Sequence, residues 1–211
     1  MSVRKIGRCV DEATRCRRPG VFRTLRIGAA LALVGGAGIS LADRDPEVGG
    51  PILGTRPSYG PAPTMAVPNA AAIDRQIWMP GLDSGWDPQG LAYARGSLFV
   101  SAYRSRRFDT YRGPCRVFRL DPATGEETGR LDVPRPCGHA GGLAYAGAGT
   151  LYVADTRTLF AVALDRAFAA APPGWRTIPL GRGVDGGLAA SGSAAIWLGG
   201  YSEGRPGRLL R

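Results

Sequence analysis

One histidine (His139), one lysine (Lys5) and one asparagine (Asn69) are all that 211 residues contain of those types. A lone histidine rules out a multi-histidine metal centre and leaves little scope for a serine triad. The four cysteines form no C-x-x-C pair, so a zinc ribbon or a thioredoxin-like motif is absent. No Walker motif occurs. Nor is there an apolar run long enough for a typical spanning helix: the uncharged run near the N-terminus from Ile27 to Leu41 has fifteen residues.

Glycine and proline are abundant instead, 32 and 17 residues, and 44% of the chain is hydrophobic. That composition favours short strands joined by tight turns over long helices, so the expected class is all-β. The formal charge of +10 points at first to nucleic acid, but it is unevenly placed. Residues 1–42 carry eight basic groups against Asp11 and Glu12, which leaves +4 for the remainder. That is ordinary for a soluble domain, and no nucleic-acid partner is expected.

Arg15, Arg17, Arg18, Arg23 and Arg26 precede the run 27–41, which ends in Ser40-Leu41-Ala42 before Asp43. A basic leader, an apolar stretch and small residues at the cleavage positions describe a secretory signal peptide cut after Ala42. The expected localisation is secreted or periplasmic, with membrane attachment only through an uncleaved 27–41 segment. Export gives the cysteines a meaning. Cys9 and Cys16 leave with the leader, and Cys115 and Cys137 become partners in a disulfide in an oxidising compartment.

Residues 43–72 are rich in proline, glycine and alanine without periodicity, and are expected to form a flexible tether. From residue 73 to 211 an internal repeat dominates. Gly90-Leu91-Ala92-Tyr93 returns as Gly142-Leu143-Ala144-Tyr145 and, degraded, as Gly187-Leu188-Ala189-Ala190. Second elements follow at 98–103, 151–156 and 196–201, third elements at 116–120, 159–164 and 209–211, and fourth elements at 131–134 and 177–180. Ile77-Trp78-Met79-Pro80 reads as one more fourth strand. Asp121-Pro122-Ala123-Thr124-Gly125 carries the residues of a hairpin turn.

Four short strands per unit of about 45 residues describe a β-propeller blade. About three blades are present, and closed propellers usually have at least four. An incomplete ring is therefore expected, either a truncated product or one completed by self-association. A β-sandwich is the alternative architecture, but it does not require the same four-element order to recur.

The stretch Asp87-Pro88-Gln89-Gly90-Leu91-Ala92-Tyr93, then a strand, then Arg119-Leu120-Asp121-Pro122-Ala123-Thr124-Gly125, resembles secreted bacterial propellers of the NHL, YVTN and SMP-30/gluconolactonase-like kind. Gly138-His139-Ala140-Gly141-Gly142-Leu143 is similar too. The resemblance covers about two thirds of the chain and bears on fold more than on activity. Three function readings follow: a non-catalytic module binding a protein or a small anionic ligand; as the resemblance implies, a metal-dependent lactonase or hydrolase with further ligands in missing C-terminal blades; and a non-functional truncated product. Lactonases of that group hold a calcium-like divalent metal through acidic and asparagine residues at the central channel. Asn69, in the tether, matches none of those positions, and no cofactor is expected from the residues present.

Propeller geometry gathers the unit-to-unit loops and the second-to-third-strand loops on one face. Asp87, His139 and Asp185 come from the former, and Arg104, Arg106, Arg107 and Arg112 from the latter, with Tyr103 and Tyr111. Such an arginine-rich, tyrosine-bearing patch suits a phosphate or a sugar acid. A disulfide between Cys115 and Cys137 would tie the longest loop to the next unit on the same face. Asp155, at a strand end, is a potential metal ligand but reads first as a cap of its own following turn. Gly181-Arg182-Gly183-Val184-Asp185-Gly186 satisfies G-x-G-x-x-G, but a strand is expected after it, where a dinucleotide site needs a helix.

Overall fold

A computed structural model describes residues 50–59, 69–104, 113–146, 149–169, 172–192, 195–201, 203–204 and 206–211. The fold is mostly β, in three antiparallel sheets of three or four strands, none closed on itself. The first sheet runs β1 (Trp86–Ala94), β2 (Ser97–Arg104), β3 (Cys115–Leu120), β4 (Glu127–Val133). The second runs β5 (Gly142–Ala146), β6 (Thr150–Asp155), β7 (Thr158–Ala163), β8 (Arg176–Pro179), and the third β9 (Leu188–Ser191), β10 (Ile196–Gly199), β11 (Leu209–Leu210). In each sheet every strand pairs with its neighbour in sequence. One four-residue helix, α1 (Leu164–Ala167), follows β7.

The hairpin expected at 121–125 forms between β3 and β4. Gly125 N–H donates to the Asp121 carbonyl at 2.8 Å, and the Asp121 carboxylate accepts from Ala123 N–H at 2.7 Å. Gly125 sits at φ +74°, a region that glycine enters without steric cost.

Strand alternation sends side chains to two faces, and in the first sheet each face carries part of the core. Phe99, Tyr103, Val117, Leu131 and Val133 pack with Leu143, Val153, Phe160 and Val162 of the second sheet in one core. The opposite face holds Val100, Ala102, Phe118 and Leu120, packed with Trp86 and Met79. The third sheet is less covered: Leu188 is 45% and Leu209 60% exposed, as are Leu91 (64%) and Tyr93 (66%) on β1.

The head glycines explain how neighbouring sheets approach. A Cβ on Gly90 would lie 2.6 Å from the Leu143 amide nitrogen and 2.9 Å from the Gly142 carbonyl carbon. A Cβ on Gly142 would meet the Leu188–Ala189 backbone in turn, 2.5 Å from the Leu188 carbonyl carbon. β1 thus lies against β5, and β5 against β9, each through a glycine.

Two segments differ from expectation. Ile77 joins none of the sheets but forms an isolated parallel bridge with Leu53. Leu53 N–H donates to the Gln76 carbonyl and Trp78 N–H to the Leu53 carbonyl, both at 2.9 Å. The pairing groups of the Ile77 strand are therefore met by residues inside the segment read as a tether. Further along it, Ser58 donates from its backbone N–H and its hydroxyl to the Asp83 carboxylate, each at 2.8 Å.

Candidate functional site

Among the described residues a dense polar arrangement lies where the loop entering the second sheet meets the ends of β2 and β6. Asp87 on β1 stands opposite Tyr103 on β2 in the antiparallel register. The Tyr103 hydroxyl donates to the Asp87 carboxylate, and its ring meets His139 edge-on with centroids 5.4 Å apart. Burial first, and then the hydrogen bond and negative charge of Asp87, raise the Tyr103 hydroxyl above the usual tyrosine value of 10.0. All three causes favour the neutral phenol.

Asp155, at the end of β6, reaches across to this loop rather than capping its own turn. Its carboxylate accepts backbone N–H bonds from His139 at 2.8 Å, Ala140 at 3.0 Å and Gly138 at 3.4 Å. Ser101 of β2 holds the same loop from the other side, its hydroxyl donating to the Ala140 carbonyl at 2.9 Å. Ala140 takes φ +52°, uncommon for a residue with a side chain, and this pair of clamps fixes it. Asp155→Asn presents an amide to one of those N–H donors and removes the charge. It is expected to cost about 2 kcal/mol, the scale for a charge-assisted bond in a buried site, read as a lower urea midpoint with unchanged slope.

Cys115, opposite Tyr103 at the start of β3, is disulfide-bonded to Cys137, with Cα atoms 5.9 Å apart. The crosslink expected from the cysteine argument is present. Donor atoms of Cys115, Cys137 and Asp155 lie within 4.8 Å of one another. The sulfurs are bonded to each other and the carboxylate is engaged by backbone amides, so this group acts as a structural knot and not as a metal cradle.

The structure brings Asp87, Tyr103 and His139 together, and adds Asp155, whose part the sequence did not signal. Asp185 belongs to the next loop, which the second sheet holds in the same manner: Gly186 N–H donates to the Thr156 carbonyl at 3.1 Å, and Arg157 approaches the Asp185 carboxylate at 3.8 Å. Arg104 turns to the other side of the disulfide, its guanidinium 5.5 Å from the Trp86 ring. Arg106, Arg107, Tyr111 and Arg112 lie outside the described residues, as do the leader and the 27–41 segment. Among the described residues no helix is long and apolar enough to cross a membrane.

Gly200-Tyr201-Ser202-Glu203-Gly204 matches the G-x-S-x-G spacing of a nucleophile elbow. An elbow requires a helix directly after the serine, whereas among the described residues the next element is β11.

Tyr103 carries a pH signature. Because its folded pKa is raised, its contribution to stability is fully present below the unfolded value, about pH 10, and is lost as pH rises through the folded one. Tyr103→Phe is expected to flatten the fall in Tm between pH 9 and 11. Parallel alkaline limbs for the two proteins would show that Tyr103 is not the titrating group.

The fold and this cluster define a class: a mostly β chain of successive antiparallel sheets with a disulfide-anchored knot of loops. No protein-family model matches the chain, and no curated protein matches it significantly.

Proposed function

We propose that the chain is an exported β-propeller module that binds a ligand on the face carrying the loops ahead of β1, β5 and β9, without catalysing a reaction. The carrying observation is the contact of β1 with β5 and of β5 with β9 through Gly90 and Gly142. First strand against first strand is how blades meet around a propeller axis. Resemblance to the NHL, YVTN and SMP-30/gluconolactonase-like propellers agrees with this reading, and the Cys115–Cys137 disulfide suits an oxidising compartment.

The exposed Leu91 and Tyr93 at one end of the series, and Leu188 and Leu209 at the other, are the surfaces that further blades would cover. A second copy supplies them in this proposal. The exported protein should sediment as a discrete dimer, and Leu91→Arg should shift it to monomer. A monodisperse monomer before any substitution would remove the ring from the reading.

A further inference from the structure

On the far side of the disulfide from the Tyr103–His139 contact lies a cleft of about 380 Å³, lined among others by Trp86, Arg104, Arg116, Asp132, Arg135 and the crosslinked cysteines. Trp86 is 6% exposed and stands edge-on to Phe118, centroids 5.6 Å apart, so its position is set by the core beneath it. Two guanidiniums share its indole, Arg116 at 4.6 Å and Arg104 at 5.5 Å from the ring centroid. Each is a favourable cation–π contact, and together they hold two like charges close to one ring. Arg116 donates from Nε to Asp132 at 2.6 Å, and Asp132 is the sole acidic residue among those lining the cleft. Three guanidiniums against one carboxylate leave two positive charges around a pocket of ligand size.

We infer that this cleft is a binding site for a small dianionic oxyanion, a phosphate ester or a dicarboxylate, held by Arg104 and Arg135 with Arg116 and Trp86 as its floor. The planar guanidinium matches the paired oxygens of phosphate and carboxylate, and an indole already covered by cations provides a rigid base for them. The bond from Arg116 to Asp132 fixes that guanidinium over the ring. The inference deepens the ligand-binding reading above by naming a site and a ligand class. It does not depend on ring closure, because every residue used belongs to the first sheet, to the segment entering it or to the turn that follows it.

The test uses the full chain, oxidised, at low ionic strength, with inorganic phosphate and succinate as separate probes and calorimetry and indole fluorescence as readouts. Saturable binding of at least one probe is expected, weakened by added chloride as screening requires. The double variant Arg104→Gln/Arg135→Gln should lose about tenfold or more in affinity, the scale of charge-assisted hydrogen bonds. Arg130→Gln/Arg176→Gln, exposed strand positions that do not line the cleft, should bind as the parent does. Phosphate without succinate identifies a phosphate-ester site, and succinate without phosphate a dicarboxylate site. No saturable binding, or equal loss in both double variants, overturns the inference. Sedimentation of the same samples keeps the two proposals apart: a monomer that binds sinks the ring and keeps the cleft, and a dimer that does not bind does the reverse.

Discussion

Gly142→Ala is expected to lower stability by about 3 kcal/mol, the upper part of the usual range for overpacking, and Tm by roughly 6 to 12 °C for a domain of this size. The added methyl would fall within contact distance of the Ala189 amide and 2.5 Å from the Leu188 carbonyl carbon. Backbone atoms cannot rotate away as a side-chain tip can. β5 and β9 would have to separate, loosening the Tyr145 N–H bond to the Ser191 hydroxyl, which spans the two strands at 2.8 Å. Gly90→Ala should act in the same direction between β1 and β5. Gly181→Ala is the control: nothing lies within 4 Å of its added Cβ and its φ is not positive, so it should change Tm little. Equal thermal melts for Gly142→Ala and Gly181→Ala would show that the first strands do not pack as described.

Cys115→Ser/Cys137→Ser should cost about 3 kcal/mol, because the crosslink spans a sequence separation of 22 and restricts the unfolded chain accordingly. In the native state the bond also borders the Asp155 knot on one side and the arginine-lined cleft on the other. Reductant should therefore lower the Tm of the parent and leave the double-serine protein unchanged. Non-reducing peptide mapping should recover Cys115 and Cys137 in one linked fragment. Recovery of these two cysteines as free thiols from protein made in an oxidising compartment would refute the crosslink.

Much of the strand order was legible because its signals are local. Leu98 to Tyr103, Arg116 to Leu120 and Leu151 to Thr156 are short apolar stretches flanked by turn residues, and each lies almost wholly within an observed strand, β2, β3 and β6. The recurrence of Gly-Leu-Ala was legible in the sequence, though the backbone-against-backbone contacts at Gly90 and Gly142 emerged only from the packing. Ile77-Trp78-Met79-Pro80 has the same local signal as a fourth strand, yet its partner is Leu53, which no periodicity marks. Asp155 was misread for the same reason. An aspartate at a strand end has nearby amides to cap, and nothing in the sequence says that those of residues 138–140 are closer.

The candidate site divides likewise. Asp87, Tyr103 and His139 were assembled from strand order, since residues that head or end successive strands share one end of the sheets. Arg116, Arg135 and Trp86 carried no such mark, because their convergence depends on side-chain direction at the start of β1, within β3 and in the turn after β4.

By itself the sequence determined the mostly β class, most of the strand order, the 121–125 hairpin and the pairing of Cys115 with Cys137. These rest on composition, alternation and turn chemistry, which act over a few residues, and on a count of cysteines. Only the tertiary structure decided that Asp155 holds the His139 loop, that Leu53 pairs with Ile77, and that three arginines face one cleft over Trp86. Each of those joins groups well separated along the chain, and such contacts are fixed by how sheets pack, which local patterns leave open.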